Sequence, residues 1–141
     1  MKKILLPVDG SKTCNLSFEY AKTLAEKFGS EIIIVNVQNI NTVVTWGVDS
    51  LAYKDNVFDP HKLAEEIIKE ASKFFDGTGI NVTLKSAIGD PATQILKMAE
   101  GENCDVIVMC THGMSATKRF LLGSVTNKVV HHAHIPVLVV R

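Results

Sequence analysis

Neither of the common phosphate-binding signatures occurs in this chain of 141 residues. It has no GxxxxGK followed by Ser or Thr and no GxGxxG after the first apolar run, which excludes a P-loop NTPase and a dinucleotide enzyme. No stretch approaches the roughly 20 apolar residues that a membrane helix needs. The N-terminal run Ile4-Leu5-Leu6 is cut by Pro7 and Asp9, well short of a signal peptide's apolar region of about 7–15 residues, so no export is expected. Cysteine is scarce: Cys14, Cys104 and Cys110 show no CxxC or zinc-like spacing, which fits a reducing cytoplasm. Net charge is also absent, because 15 Lys and Arg balance 15 Asp and Glu. With no overall field to draw nucleic acid or an anionic membrane surface, any anionic ligand must be held by local geometry.

Apolar residues make up 46% of the chain and charged ones 21%, near the averages for globular proteins, and the length suits one domain over residues 1–141. Strand-length apolar runs alternate with segments of helical period, the pattern of a parallel sheet with crossover helices. Strands are expected over 2–8, 31–37, 81–87, 105–110 and 136–140. The continuous Ile-Ile-Ile-Val of the second suits a strand buried on both faces. Between them, Leu16, Tyr20, Ala21, Leu24, Ala25 and Phe28 form one apolar helical stripe that Gly29 can close. Leu63, Ile67, Ala71 and Phe74 form a second, in a helix opened by Pro60. Asp90-Pro91 caps a third helix through Ile95, Met98 and Ala99, and Gly123-Ser124 opens a fourth. Residues 38–59, with Trp46, Tyr53 and Phe58, are longer than an ordinary loop and read as a lid. Right-handed crossovers then give an α/β fold, an open five-stranded twisted sheet with helices on both faces.

In such sheets ligands sit beyond the carboxyl ends of the strands, where Asp9 and Gly113 fall. Gly113 lets backbone amides approach a ligand, and Gly123-Ser124 opens a helix whose free N–H groups favour an anion. Ser124 also reads as a plain helix cap, and Asp9, followed by Gly10-Ser11, as a turn residue. Lys118 and Arg119 suit solvated surface better than a phosphate clamp. His131, His132 and His134 suit the helix dipole better than a metal, and Cys14 a structural role better than a reactive thiol. A receiver domain needs a carboxylate at the end of strand three, where Ala87-Ile88-Gly89 has none. Nor is there a nucleophile, base and orienting group at recognisable spacing. No dedicated enzyme is expected, slow hydrolysis of a bound ligand aside.

From Cys110 onward the chain resembles the universal stress protein family, whose ATP-binding members carry glycine, two residues, glycine, nine residues, then Gly-Ser or Gly-Thr. Gly113, nine residues, then Gly123-Ser124 reproduce the second half, within the phrase Leu-Leu-Gly-Ser-Val. Ile4-Leu5-Leu6-Pro7-Val8-Asp9-Gly10-Ser11, Ile88-Gly89-Asp90-Pro91 and Ile135 to Val140 extend the likeness over the whole chain. The resemblance implies a Rossmann-like, adenine nucleotide alpha hydrolase-like sheet of order 3-2-1-4-5. It implies ATP, alone or with Mg, with Asp9 and Val37 against the ribose and adenine, Gly113, Gly123, Ser124 and Val125 around the phosphates and Gly89 at the rim. Pro7, Val8 and Cys110 would line the same site, with His112 in the phosphate turn. Cys110 replaces the motif's first glycine. If that position needs a left-handed backbone, the side chain costs roughly 1–2 kcal/mol, on the order of tenfold in affinity; otherwise it is an ordinary strand-end residue. The aliphatic last strand, at the sheet edge in the family's order, implies a homodimer, acting in stress signalling with an unidentified protein partner. The rival is a nucleotide-free dimeric interaction module of the same fold. An adenylate-forming or electron-transfer relative is disfavoured by the Gly123-Ser124 spacing.

Overall fold

Ile32, Ile33, Ile34 and Val35 are fully buried, as a strand covered on both faces demands. They lie in β2 (Glu31–Gln38), which is hydrogen-bonded on both sides in a computed structural model describing residues 1–11, 15–39, 59–111 and 122–141. The other strands are β1 (Lys3–Pro7), β3 (Val82–Ile88), β4 (Val106–Cys110) and β5 (Val137–Val140). All pairings are parallel and the order is β3-β2-β1-β4-β5, as the resemblance implies. Among the described residues the helices are α1 (Asn15–Phe28), α2 (Pro60–Ser72), α3 (Pro91–Gly101) and α4 (Ser124–His132).

The order reverses at β1: the chain steps outward from β1 to β2 and β3, then returns to β4 and β5. Right-handed crossovers therefore send the first two helices to one face and the last two to the other. Burial follows this division. Ile4, Leu6, Ile32, Ile34, Val106 and Val108 pack with α1 and α2, while Leu5, Ile33, Val35, Ile107 and Met109 pack with α3 and α4.

Two expected stripes are corrected in part, Ala21, Ala25 and Leu24 of the first packing in the core as expected. α1 seats on the sheet through its small residues Ser17, Ala21 and Ala25. Leu16, Tyr20 and Phe28 are 49%, 50% and 58% exposed, because close approach of helix to sheet favours small side chains at the contact. In α2 the buried residues are Pro60, Ala64 and Ile68; Ala64 and Ile68 lie one step on from the expected Leu63 and Ile67, while Ala71 packs against the core as expected. The helix then tightens into a 3₁₀ turn, Lys73–Phe75, which buries Phe75 and leaves Phe74 exposed, since a period of three replaces 3.6. In α3, Ile95 and Ala99 are buried as expected.

Candidate functional site

Pro7 opens the sheet at its centre. In a parallel ladder successive residues direct their N–H and C=O to alternate neighbours. The Val8 amide donates to Val35 O in β2 (2.8 Å), and Lys3 O accepts from Asp105 N beside β4 (2.9 Å). Odd-numbered β1 residues therefore face β4, and Pro7 is an odd-numbered residue with no N–H to give. The β1–β4 rungs stop at Leu5↔Ile107, whereas β1 stays paired to β2 as far as Pro7↔Val35. The carboxyl ends of β1 and β4 thus part where the strand order reverses, the place at which open α/β sheets form a ligand crevice.

One rim of the crevice is Val8-Asp9-Gly10. Asp9 Oδ1 accepts the Ser11 amide at 2.9 Å, so its carboxylate does the work of a turn residue. Gly10, at φ 82°, faces Ile67 of α2, which an added Cβ would approach to 3.3 Å. Val37, near the end of β2, is half-buried against the α3–α4 core. Gly89 follows β3 at φ 137°, a conformation reserved for glycine, and its amide donates to Gln38 O at 2.9 Å.

The opposite rim is the end of β4 joined to the start of α4. The Gly123 amide donates to Thr111 O at 2.7 Å, and the Thr126 hydroxyl donates to Cys110 O at 2.8 Å. These bonds fix the helix's amino end, where the amides of Ser124, Val125 and Thr126 precede the first intrahelical bond, Asn127 N to Gly123 O. Gly123, not Ser124, is the N-cap; Ser124 is the exposed first residue of the helix. Gly123 has φ −56° and ψ 150°, dihedrals open to any residue, so its lack of a Cβ matters for space only. Cys110 is half-exposed and lies in regular strand opposite Val140. Among the described non-glycine residues only Asn103 has a positive φ, 55°, so the backbone penalty considered for Cys110 does not arise. His112, Gly113, Lys118, Arg119, Cys14 and the 40–58 part of the expected lid lie outside the described residues.

Asp90 caps α3 beside Gly89, and its carboxyl is held below the usual carboxylate range by the Thr93 amide, then the Thr93 hydroxyl and Lys128. A groove of about 320 Å³ between α3 and α4 is lined by residues that include Asp90, Leu96, Lys128 and His132. It holds none of the expected site residues, and Lys128 already pairs with Asp90 across it at 3.3 Å. The sequence reading passed over Asn36, which is 2% exposed and donates through Nδ2 to Val8 O at 2.7 Å. The signal was present: an amide side chain inside an otherwise apolar buried strand.

The fold and crevice define an open parallel α/β protein with an anion-favouring helix end at its topological switch point. The chain belongs to the universal stress protein family, whose pattern matches residues 1–141. It is 32% identical to universal stress protein MJ0531 of Methanocaldococcus jannaschii over 99% of this chain and 82% of that protein. It is 31% identical to MJ0577 of the same organism, covering 99% and 94%, and the solved structure of MJ0577 superposes with a TM-score of 0.81. A universal stress protein from Archaeoglobus fulgidus, solved in complex with dAMP, shares the fold at 18% identity, with a TM-score of 0.72 over 100% of this chain and 98% of that one.

Proposed function

We propose that this chain acts as one domain, residues 1–141, that binds ATP, alone or with Mg, in the crevice between β1 and β4 and works as a homodimeric stress-signalling module in the cytoplasm. Pro7, Val8, Asp9 and Val37 take the nucleoside, with Gly89 at the rim. Cys110, His112, Gly113, Gly123, Ser124 and Val125 take the phosphates. The observation that carries this reading is the fastening of α4 to β4 through Gly123–Thr111 and Thr126–Cys110. It aims a helix amino end, with its unpaired amides and positive dipole, at the mouth of the crevice. That a family member of the same fold was solved with dAMP supports an adenine nucleotide as the anion. No helix among the described residues is long and apolar enough to cross a membrane. β5 lies at the sheet edge with Val137, Leu138 and Val139 half-buried. This supports pairing of two edges across a two-fold axis, and a surface for a protein partner beyond it.

Native mass spectrometry of the gently purified protein tests both halves together. A dimer mass carrying ATP is expected, and Gly123→Val should appear as a dimer without it. Valine adopts the Gly123 dihedrals without strain, so the loss would report a blocked cradle rather than misfolding. ATP retained by the variant overturns the site; a monomer overturns the assembly. A dimer lacking nucleotide in the wild type leaves the interaction module.

A further inference from the structure

We infer that Asn36 is a positioning residue that sets the nucleoside half of the crevice, and so controls affinity for the adenosine moiety independently of the phosphates. The inference rests on the nucleotide reading above and assigns a role to a residue outside the expected site. Asn36 is buried on the α1–α2 face of β2, at 2% exposure. Its Nδ2 donates to Val8 O at 2.7 Å, while its Oδ1 accepts from Gln38 Nε2 at 2.6 Å. Gln38 in turn accepts the Gly89 amide on its main-chain oxygen at 2.9 Å. The buried amide therefore ties the carboxyl end of β1 to that of β2, and the Gln38 main chain carries the link on to β3.

The bond matters because of where Val8 sits. Regular pairing of β1 ends at Pro7, and the Val8 amide makes the last main-chain bond, to Val35 O. The Val8 carbonyl has passed the end of that ladder, and Asn36 supplies it with a donor. With both ends of the Val8 residue anchored to β2, the direction in which the chain leaves toward Asp9 is set before the turn begins. On the other side, Ile67 limits Gly10. Removing the donor leaves a carbonyl without that partner and frees Asp9 to tilt, yet touches nothing on the α4 rim. Phosphate binding at Gly123 to Val125 rests on the start of α4, which is fastened to β4 and not to β2.

The test titrates the full-length wild type, Asn36→Leu and Asn36→Asp with adenosine and, separately, with inorganic tripolyphosphate by calorimetry. Leucine is close in size and has no donor; aspartate keeps the shape but turns an acceptor toward Val8 O. Both variants should bind adenosine roughly tenfold more weakly, as expected from loss of one buried hydrogen bond, and bind tripolyphosphate as the wild type does. Amide exchange at residues 8–11 should accelerate in both variants while that of 4–6 does not. If the variants keep wild-type adenosine affinity, or lose both ligands equally, Asn36 is a fold residue only and the inference fails. If the wild type itself binds neither ligand, the nucleotide reading fails instead. Should Asn36→Leu not fold, Asn36→Asp decides, its folding checked by circular dichroism.

Discussion

Gly89→Ala puts a side chain on a residue held at φ 137°, and the expected loss follows from the backbone alone. L-residues rarely occupy that region, and forcing one there costs on the order of 1–3 kcal/mol. The new Cβ would also lie 3.0 Å from Gln94 Nε2. That atom ends a flexible, half-buried side chain and can swing away, so the contact adds little. The Gly89 N–H bond to Gln38 O survives the change. With a urea slope of about 2 kcal/mol/M, a loss of about 2 kcal/mol moves the unfolding midpoint down by about 1 M. Gly101→Ala is the matched control. It ends α3, an added Cβ there meets nothing within 4 Å, and alanine in a helical position stabilises by about 0.5–1 kcal/mol. The two glycine-to-alanine changes should shift the midpoint in opposite directions. Repeating Gly89→Ala in a Gln94→Ala background separates the causes. If the cost disappears there, contact rather than backbone conformation governs Gly89; if both variants shift the same way, the reasoning about φ is wrong.

Burial pushes the Cys104 thiol from 9.0 up to about 11, so the folded state favours the neutral form. Its contribution is complete below about pH 9 and is lost as pH rises through about 11, on the order of 3 kcal/mol in all. Cys104→Ala should therefore show a shallower decline in urea stability over that window, and parallel curves for the two proteins would refute this. Asp90 has the opposite sign. Its folded pKa is depressed, chiefly by the Thr93 amide, so its contribution is present above the ordinary carboxylate range and fades as pH falls through the lowered value. Asp90→Ala should cost about 1 kcal/mol at neutral pH, the usual loss for a helix cap, and converge with the wild type in acid; a constant gap down to acid unfolding would count against the cap.

The strands were readable because double-sided burial writes itself as unbroken aliphatic sequence, of which Ile32 to Val35 is the plainest case. The helix faces were less so. A hydrophobic stripe records which residues are apolar, not how closely a helix must approach its sheet, so the reading placed Ala21 and Ala25 correctly but took in Tyr20 and Phe28, which are exposed, and left out Ser17, which is buried. Phe74 and Phe75 exchanged places for another reason: the tightening at Lys73 breaks the helical period, and no single residue announces it. Of the candidate site, the helix start at Gly123 and the turn at Asp9 were legible. The site was illegible where hydrogen bonds between distant strands decide matters. Asn36 and Val8 are 28 residues apart, and only the parallel register brings them together. For Cys110 the sequence left two alternatives open, and the end of strand β4 is regular, so the ordinary strand-end residue is the one that holds.

The imino nitrogen of Pro7 has one more consequence. Any other residue there would direct an amide hydrogen into the gap between β1 and β4, and a donor with no strand to meet would have to bind water or whatever entered. Proline withholds that donor and leaves its carbonyl oxygen, an acceptor, on the β1 side of the gap. Amide hydrogens are then offered chiefly from the α4 rim across from it, so the asymmetry of the cleft begins with a hydrogen atom the chain never had.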